Sequence, residues 1–427
     1  MKLIVHGAGQ EVGRSCFQLQ TKGGKFLLDG GLKLSQHGAE FPVCIGPEDI
    51  QALDAIFLSH AHLDHSGALP LFDAWGLRAP IFATKPTKAL AEVLLLDAFQ
   101  IGRLHHEHLG YEKFDVEKVL SFMQKIQWRN EGTLKGLNYQ FYDAGHIPGS
   151  STIQLEAEDK RLVYTGDIRN TDSRLMQAAD TQYEMPVDVL ITESTYGDRE
   201  HPPRAKTEKE FLASVGRTLA RGGSALVPVF GVGRAQELLL LLATQDFGIP
   251  VYVDGMAKGV TEMLFEFGKS IRSVAELQKA YKSARPIKGH IQRNSFLLQG
   301  KQGIFLTTSG MLTGGPAMDY LKVLGMSQRN SILLTGYQEE HTNGRMLLEE
   351  QQAYIDGWKA MIKADVQQFD FSAHAGQSDL RRLIRQTNPH RIIAVHGDPS
   401  AAQSIVDWAQ AIGIPASAPK NGEFLTI

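Results

Sequence analysis

The run Ser59-His60-Ala61-His62-Leu63-Asp64-His65 brings three imidazoles and a carboxylate into the six positions from His60 to His65. Neutral imidazole and carboxylate are ligands for zinc-like cations. Imidazoles packed this closely repel one another when protonated, so their gathering needs a cause, and a cation supplies one. The bland alternative is a polar loop that happens to hold histidines. Ala55-Ile56-Phe57-Leu58 precedes the run and reads as a buried strand, so the cluster leaves a strand on a loop. On a loop, alternate side chains can converge on two neighbouring points, with His60 and His62 at one and Asp64 and His65 at the other.

Four more segments repeat this design. Leu27-Leu28-Asp29-Gly30-Gly31, Tyr164-Thr165-Gly166-Asp167 and Val395-His396-Gly397-Asp398 each carry a polar residue out of an apolar strand into a glycine turn. Ala144-Gly145-His146-Ile147-Pro148-Gly149-Ser150 places a histidine in a Gly/Pro-rich turn. Each alone is more often an ordinary turn residue. Together they mark strand exits, where sites collect.

The elements that must position these residues fit an α/β protein. At 427 residues the chain has room for two to three domains with sizeable cores. Hydrophobic residues make up 43% and charged residues 21%, as in ordinary soluble proteins. A formal net charge of -3 gives no global basic field, so any polyanion site must be a local patch. Cys16 and Cys44 are the only cysteines, too few for a zinc-finger set. With no secretory h-region after Met1-Lys2, the expectation is a reducing cytoplasm, with no disulfide needed. Runs such as Leu238 to Leu242 are too short to span a bilayer, so no membrane partner is expected.

The first third reads as short strands separated by glycine turns, followed by a strand at 81–84 and a helix at 87–101 opened by Pro86. Further strands are expected at 138–143, 152–156 and 161–166. A polar crossing with Pro202-Pro203 follows. Beyond it helices and strands alternate, with a helix at 205–221 and strands at 225–229, 250–253, 303–308 and 331–335, which suggests a doubly wound α/β domain. Loop-borne histidines return after Phe369-Asp370-Phe371, then a helix at 377–387 and a strand at 391–395.

With these residues in view, the chain resembles the metallo-β-lactamase superfamily. His60, His62, Asp64 and His65 match its His-x-His-x-Asp-His signature, and His146 and Asp167 match its next ligand motifs. Asp29 matches an aspartate that supports the metal loop without binding metal. Thr192-Glu193-Ser194-Thr195-Tyr196-Gly197, Phe371-Ser372-Ala373-His374-Ala375 and His396 are similar to motifs A, B and C of the β-CASP nucleases, and a histidine at motif C resembles the RNA-processing branch. Gly7 to Cys16, Gly233 to Glu237 and Ser309-Gly310-Met311-Leu312 are similar to cleavage-and-polyadenylation-factor-like members. The resemblance covers essentially the whole chain. It implies an αββα sandwich made of residues 1–198 and 374–427, with a β-CASP domain inserted at 199–373. It also implies two Zn2+ per chain, one held by His60, His62 and His146, the other by Asp64, His65 and His396, with Asp167 bridging. Manganese can substitute in such a ligand set.

The activity this implies is hydrolysis of phosphodiester bonds in single-stranded RNA by a two-metal hydroxide mechanism, endonucleolytic and also compatible with 5′-to-3′ exonuclease action. Two cations can stabilise both the attacking and the leaving oxygen. Asp64 would orient the nucleophile, His374 would protonate the leaving alkoxide, and Glu193 would fix and charge His374. Outside the resemblance, His374 reads as a turn histidine after a strand and Glu193 as an N-cap-like or surface carboxylate. Ser309, Gly310 and Met311 form a strand-to-glycine turn that can cradle a substrate phosphate or be a simple turn. Lys282, Arg285, Lys288 and Arg293 form a basic stretch that can track RNA, although such runs are more often a solvated face. His105-His106-Glu107-His108 sits at a helix end, where histidine suits the dipole, and takes no metal.

Three other functions compete. A small-molecule metallohydrolase of the glyoxalase or lactamase type shares the histidine site but does not need the segment 199–373. A catalytically dead binding subunit would carry broken ligands, whereas every expected ligand position is filled. A dinucleotide-binding dehydrogenase is suggested by Gly231-Val232-Gly233, but the third glycine of that fingerprint is Gln236 here. A homo-oligomer is compatible with all of these.

Overall fold

Short runs of β-branched, leucine and aromatic residues, each closed by glycine or a polar residue, become strands buried on both faces. The computed structural model describes residues 1–35 and 38–427. These divide into one unit of Met1–Asp172, Ala178–Glu200 and His374–Ile427, and a second of Ser173–Gln177 and His201–Ala373.

The first unit holds two seven-stranded sheets. One runs in the order Phe424–Thr426, Lys2–Gly7, Cys16–Gln20, Lys25–Leu28, Ala55–Phe57, Ile81–Thr84, Met123–Ile126. The other runs Ala416–Ser417, Arg391–Val395, Val189–Glu193, Lys160–Tyr164, Ser151–Ala157, Leu137–Asp143, Glu131–Leu134. One core joins the sheets: Phe17, Phe26 and Phe57 from the first pack with Phe141, Ile153, Tyr164 and Ile191 from the second. Each such buried side chain contributes about 1.5–3 kcal/mol. The helices Gln377–Thr387 and Pro399–Ala411 cover the outer face of the second sheet, with Leu380, Leu383, Ile384, Ile405 and Val406 on Leu190, Ile392 and Ala394. Helices Leu69–Ala74, Lys85–Leu104 and Lys113–Phe122 accompany the first sheet. The layers are therefore αββα.

Parallel pairing explains how distant motifs meet. Lys25–Leu28 runs parallel to Ala55–Phe57, and Val189–Glu193 runs parallel to both Lys160–Tyr164 and Arg391–Val395, with Glu193 level with Val395. The carboxyl ends of these strands thus lie on one rim. That rim receives Asp29, the His60–His65 run, Asp167, Glu193 and His396, as strand ends in layered α/β folds commonly receive ligands.

In the second unit a six-stranded sheet has the order Arg285–Pro286, Val251–Asp254, Ile304–Thr307, Ala225–Pro228, Ser331–Leu334, Asp365–Gln368, with every pairing parallel. From Ala225–Pro228 the chain goes to one side of the sheet and later returns across it to the other, the doubly wound pattern. Leu226, Phe305 and Ile332 pack against Tyr320 and Leu321 of the helix Pro316–Leu324.

Several details differ from the sequence reading. Asp64 and His65 stand in one helical turn, Leu63–Ser66, rather than on an open loop. The turn closes because the Ser66 and Gly67 N–H groups reach the His62 and Leu63 carbonyls. The edge strands Met123–Ile126, Glu131–Leu134 and Asp365–Gln368 and the hairpin Gln352–Ile355/Trp358–Met361 were not expected. Their polar sequences suit a strand paired on one side only. Arg293 does not belong to a solvated basic stretch. It is buried, with Nε on Asp254 and a terminal nitrogen on Asp319, both at 2.7 Å. Among the described residues no helix is long and apolar enough to cross a membrane.

Candidate metal centre

The ligand run leaves the strand Ala55–Phe57 through Leu58 and Ser59, and its direction is fixed by a buried carboxylate. Asp29 accepts hydrogen bonds from the Ser59 backbone N–H at 2.6 Å and from the Ser59 hydroxyl at 2.7 Å. It also accepts from the Tyr164 hydroxyl at 2.6 Å, and His65 Nδ1 lies 2.7 Å from it. With Nδ1–H of His65 committed to Asp29, Nε2 is left for a cation. Asp29 and His396 both take left-handed backbone, at φ 59° and 47°. Such strain in a non-glycine residue costs about 1–3 kcal/mol and gathers at functional positions.

Two groups of donors result. His60, His62, His146 and Asp167 can converge on one point, and Asp64, His65, Asp167 and His396 on another. Asp167 divides its oxygens between them. Oδ2 lies 3.4 Å from His60 Nε2 and 3.5 Å from His146 Nε2. Oδ1 lies 3.2 Å from His65 Nε2 and 3.4 Å from His396 Nδ1. His396 Nε2 is 3.2 Å from Asp64 Oδ2.

The donor set fits divalent metal. Oδ1 of Asp167 is buried and has no hydrogen-bond partner, an expensive state for a carboxylate oxygen unless a cation meets it. In the first group His62 Nδ1 is 3.1 Å from His60 Nε2 and 3.2 Å from His146 Nε2. A tetrahedral zinc with Zn–N of about 2.0–2.1 Å sets its nitrogens about 3.3 Å apart. Burial, with the neighbouring imidazoles, lowers the proton affinity of His60 and His146 and takes His62 down to about 3. These rings are therefore held neutral, the form that ligates.

Glu193 and His374 flank the donors. His374 Nδ1 lies 2.9 Å from Glu193 Oε2 and 4.0 Å from Asp167 Oδ2. The other Glu193 oxygen accepts the Ile168 N–H at 2.7 Å. Burial pushes the His374 proton off, but the Glu193 and Asp167 carboxylates outweigh it and raise the pKa to about 9. Asp167, Glu193 and His374 are close enough to form a third ligand trio. One Glu193 oxygen is already taken by His374 and the other by the Ile168 N–H, so Glu193 and His374 read as a charged pair beside the two donor groups.

The structure thus brings together His60, His62, Asp64, His65, His146, Asp167, Glu193, His374 and His396, with Asp29 behind them. Ser309, Gly310 and Met311 lie in the second unit, after the strand Ile304–Thr307. There the Ser309 hydroxyl accepts the Thr313 N–H at 3.1 Å. His105, His106 and His108 join no ligand group among the described residues. Sequence reasoning assigned no role to Ser59, Tyr164 or Thr195. Thr195 Oγ1 stands 3.2 Å from His396 Nδ1. A hydroxyl at a strand end is too common for sequence to single these residues out.

The chain is similar to known proteins. A metallo-beta-lactamase superfamily domain model matches residues 8–195, a Beta-Casp domain model 235–347, and a Zn-dependent metallo-hydrolase RNA specificity domain model 359–419. A protein named probable RNase MJ4 from Methanocaldococcus jannaschii is 38% identical over 100% of both chains. RNase aCSPSF2 from Saccharolobus solfataricus is 34% identical over 100% of this chain and 85% of its own. Transcription termination factor FttA from Methanocaldococcus jannaschii is 32% identical over 95% of this chain and 68% of its own. A solved protein of unknown function from Enterococcus faecalis V583 aligns with a TM-score of 0.58, covering 100% of this chain and 99% of that one at 14% identity, a likeness of fold alone. Sandwich, inserted parallel sheet, ligand rim and full-length relatives agree, and the chain belongs to the β-CASP family of the metallo-β-lactamase superfamily.

Proposed function

We propose that this chain is a ribonuclease that hydrolyses phosphodiester bonds of single-stranded RNA at a two-zinc centre. The observation that carries the proposal is Asp167, with one oxygen facing each donor group and the Glu193–His374 pair beside them. His60, His62 and His146 would hold one ion, Asp64, His65 and His396 the other, and Asp167 both. Bound divalent metal supplies charge for the phosphate and a nucleophile at neutral pH. Asp64 orients the attacking water through its carboxylate. His374, protonated at neutral pH, gives its proton to the leaving ribose oxygen. Glu193 acts through His374 as a positioning residue, holding its tautomer and its charge. Ser309, Gly310 and Met311 offer a hydroxyl and backbone N–H groups to a substrate phosphate. Cys16 and Cys44 are both free thiols, which supports a reducing cytoplasm as the setting.

The test is incubation with 5′-labelled RNA carrying a monophosphate or a triphosphate. Cleavage should require metal, stop with chelator and return with zinc, with manganese as the alternative ion. Mononucleotide release would mark exonuclease action and internal fragments endonuclease action. Hydrolysis of a lactam or thioester with RNA left intact would overturn the proposal.

A further inference from the structure

The helix Gln377–Thr387 starts three residues after His374 and carries a positive face that the metal centre does not use. Its inward residues Leu380, Leu383 and Ile384 are fixed in the core. By the 3.6-residue period, Arg381, Arg382 and Arg385 turn to the other side. Both Arg381 and Arg385 stack on one indole, with guanidinium carbons 5.3 and 5.2 Å from the Trp408 ring centroid. Neither makes an ion pair with a carboxylate among the described residues, and Nε of Arg381 is buried with no hydrogen-bond partner. Two like charges share one ring, where each repels the other. Their cation–π attachment holds them ready, and their terminal guanidinium nitrogens, in no ion pair with a carboxylate among the described residues, are left for a partner from outside.

The third arginine ties this face to the metal rim. Arg382 bonds Asp379 at 2.5 Å and reaches the Asn170 carbonyl at 3.4 Å. Asn170 lies in the loop that begins at Asp167. At 1.5 Å rise per residue, Arg381 and Arg385 lie about 6 and 12 Å along the helix axis from Gln377. In a chain of net charge -3 this is a local concentration of unpaired positive charge, and it falls within the stretch matched by the RNA specificity domain model, 359–419.

We infer that Arg381 and Arg385, braced by Trp408, bind the phosphodiester backbone of the RNA beyond the scissile bond, as an electrostatic track leading away from the metal centre. The chemistry recognised is a run of phosphates, without regard to base. The inference rests on the ribonuclease reading for its substrate, and the test below separates the two.

Affinity of the full metal-loaded chain for labelled oligouridine is measured by anisotropy across a salt series, in a His374→Ala background to slow cleavage, with uridine trinucleotide as the short comparator. Arg381→Gln/Arg385→Gln should weaken binding of the long oligonucleotide about ten-fold at low salt and reduce the slope of log affinity against log salt by about 1.4, the value for two single-strand phosphate contacts. Trinucleotide affinity should change far less. Lys113→Gln on an exposed helix of the same unit removes one charge, as Arg385→Gln does, and as the control for it should change neither. Arg385→Gln alone removes an exposed side chain, so it keeps the test open if the double variant fails to fold, and it should show about half the slope change. Long-oligonucleotide affinity and slope equal to the parent chain would overturn the inference, and so would equal losses for the long and short RNA. If the parent chain neither binds nor cleaves RNA, the ribonuclease reading itself fails.

Discussion

Nδ1 of His374 stands 2.9 Å from Oε2 of Glu193, although 181 positions separate the two residues. The second oxygen of Glu193 is held by the Ile168 N–H at 2.7 Å, so the carboxylate cannot turn away. Two-point fixation of the acid fixes the imidazole in turn. Because Ile168 follows Asp167, which belongs to both donor groups, His374 and the candidate ligands are referenced to the same strand exit.

Replacing His374 with alanine should therefore lower the rate of RNA cleavage by about 10²–10⁴-fold, the usual contribution of a general acid. Zinc content should stay that of the parent chain, because His374 lies outside both ligand groups. Rate and metal analysis together check this. Wild-type turnover in the variant would remove His374 from the mechanism.

Glu193→Gln tests the pair through pH. The working form of His374 is the protonated one, and its pKa is raised to about 9. Cleavage should hold while His374 keeps its proton and fall as pH rises through its pKa in the metal-loaded enzyme. Without the Glu193 carboxylate the pKa drops, so the alkaline limb of kcat should move to lower pH in the variant. An unmoved limb would mean that another group sets it.

Much of this centre was legible before any fold was known. His60, His62, Asp64 and His65 announced themselves because ligands packed into one short run have few other uses. The strands that carry Asp167 and His396 could be read from their apolar runs and glycine turns. Glu193 was a different case, since nothing local separates it from any acid at a strand end. Its meaning comes from the parallel pairing that sets it level with Val395, one residue before His396. Arg293 was misread because its carboxylate partners, Asp254 and Asp319, are brought to it by a strand end and a helix of the second unit. The edge strands escaped because polar strands paired on one side have no hydrophobic period to betray them.

Asp29 stands behind the candidate ligands without joining either donor group. Four donors point at this buried carboxylate, from Ser59 backbone and side chain, His65 and Tyr164. Asp29→Ala strands them all and should cost about 3–5 kcal/mol in urea unfolding. Zinc affinity should fall about 10–100-fold, as when other carboxylates behind ligating histidines are lost. Tyr164→Phe removes one donor only and should cost about 1 kcal/mol. Equal effects of the two substitutions would contradict this hierarchy.

Metal and stability should be linked. The two donor groups place three histidines around Asp167 on one side, and Asp64, His65 and His396 on the other. Cations that bind the folded rim and not the unfolded chain raise Tm with concentration. Chelation should lower Tm, and zinc should restore it in a dose-dependent way. Asp167→Asn, which weakens both groups at once, should flatten that dose response. A Tm indifferent to zinc in the parent chain would deny the ions any structural part.

A last prediction concerns Asp143, at the end of the strand Leu137–Asp143 that leads to the His146 turn. Burial, only partly offset by the Gly145 N–H, raises its pKa to about 7. In the unfolded chain the group titrates near its ordinary value of about 3.9. Between these values the folded protein holds a proton that the unfolded chain has lost, so stability falls as pH rises from about 4 to about 7 and stays reduced above. Asp143→Asn carries no charge at any pH and keeps an acceptor for Gly145. Relative to the parent chain, the variant should gain little at pH of about 4. Its advantage should grow through neutrality and level off above pH of about 7. Urea unfolding of both chains across this range measures the difference directly, and a difference independent of pH would show that Asp143 keeps its ordinary acidity in the fold.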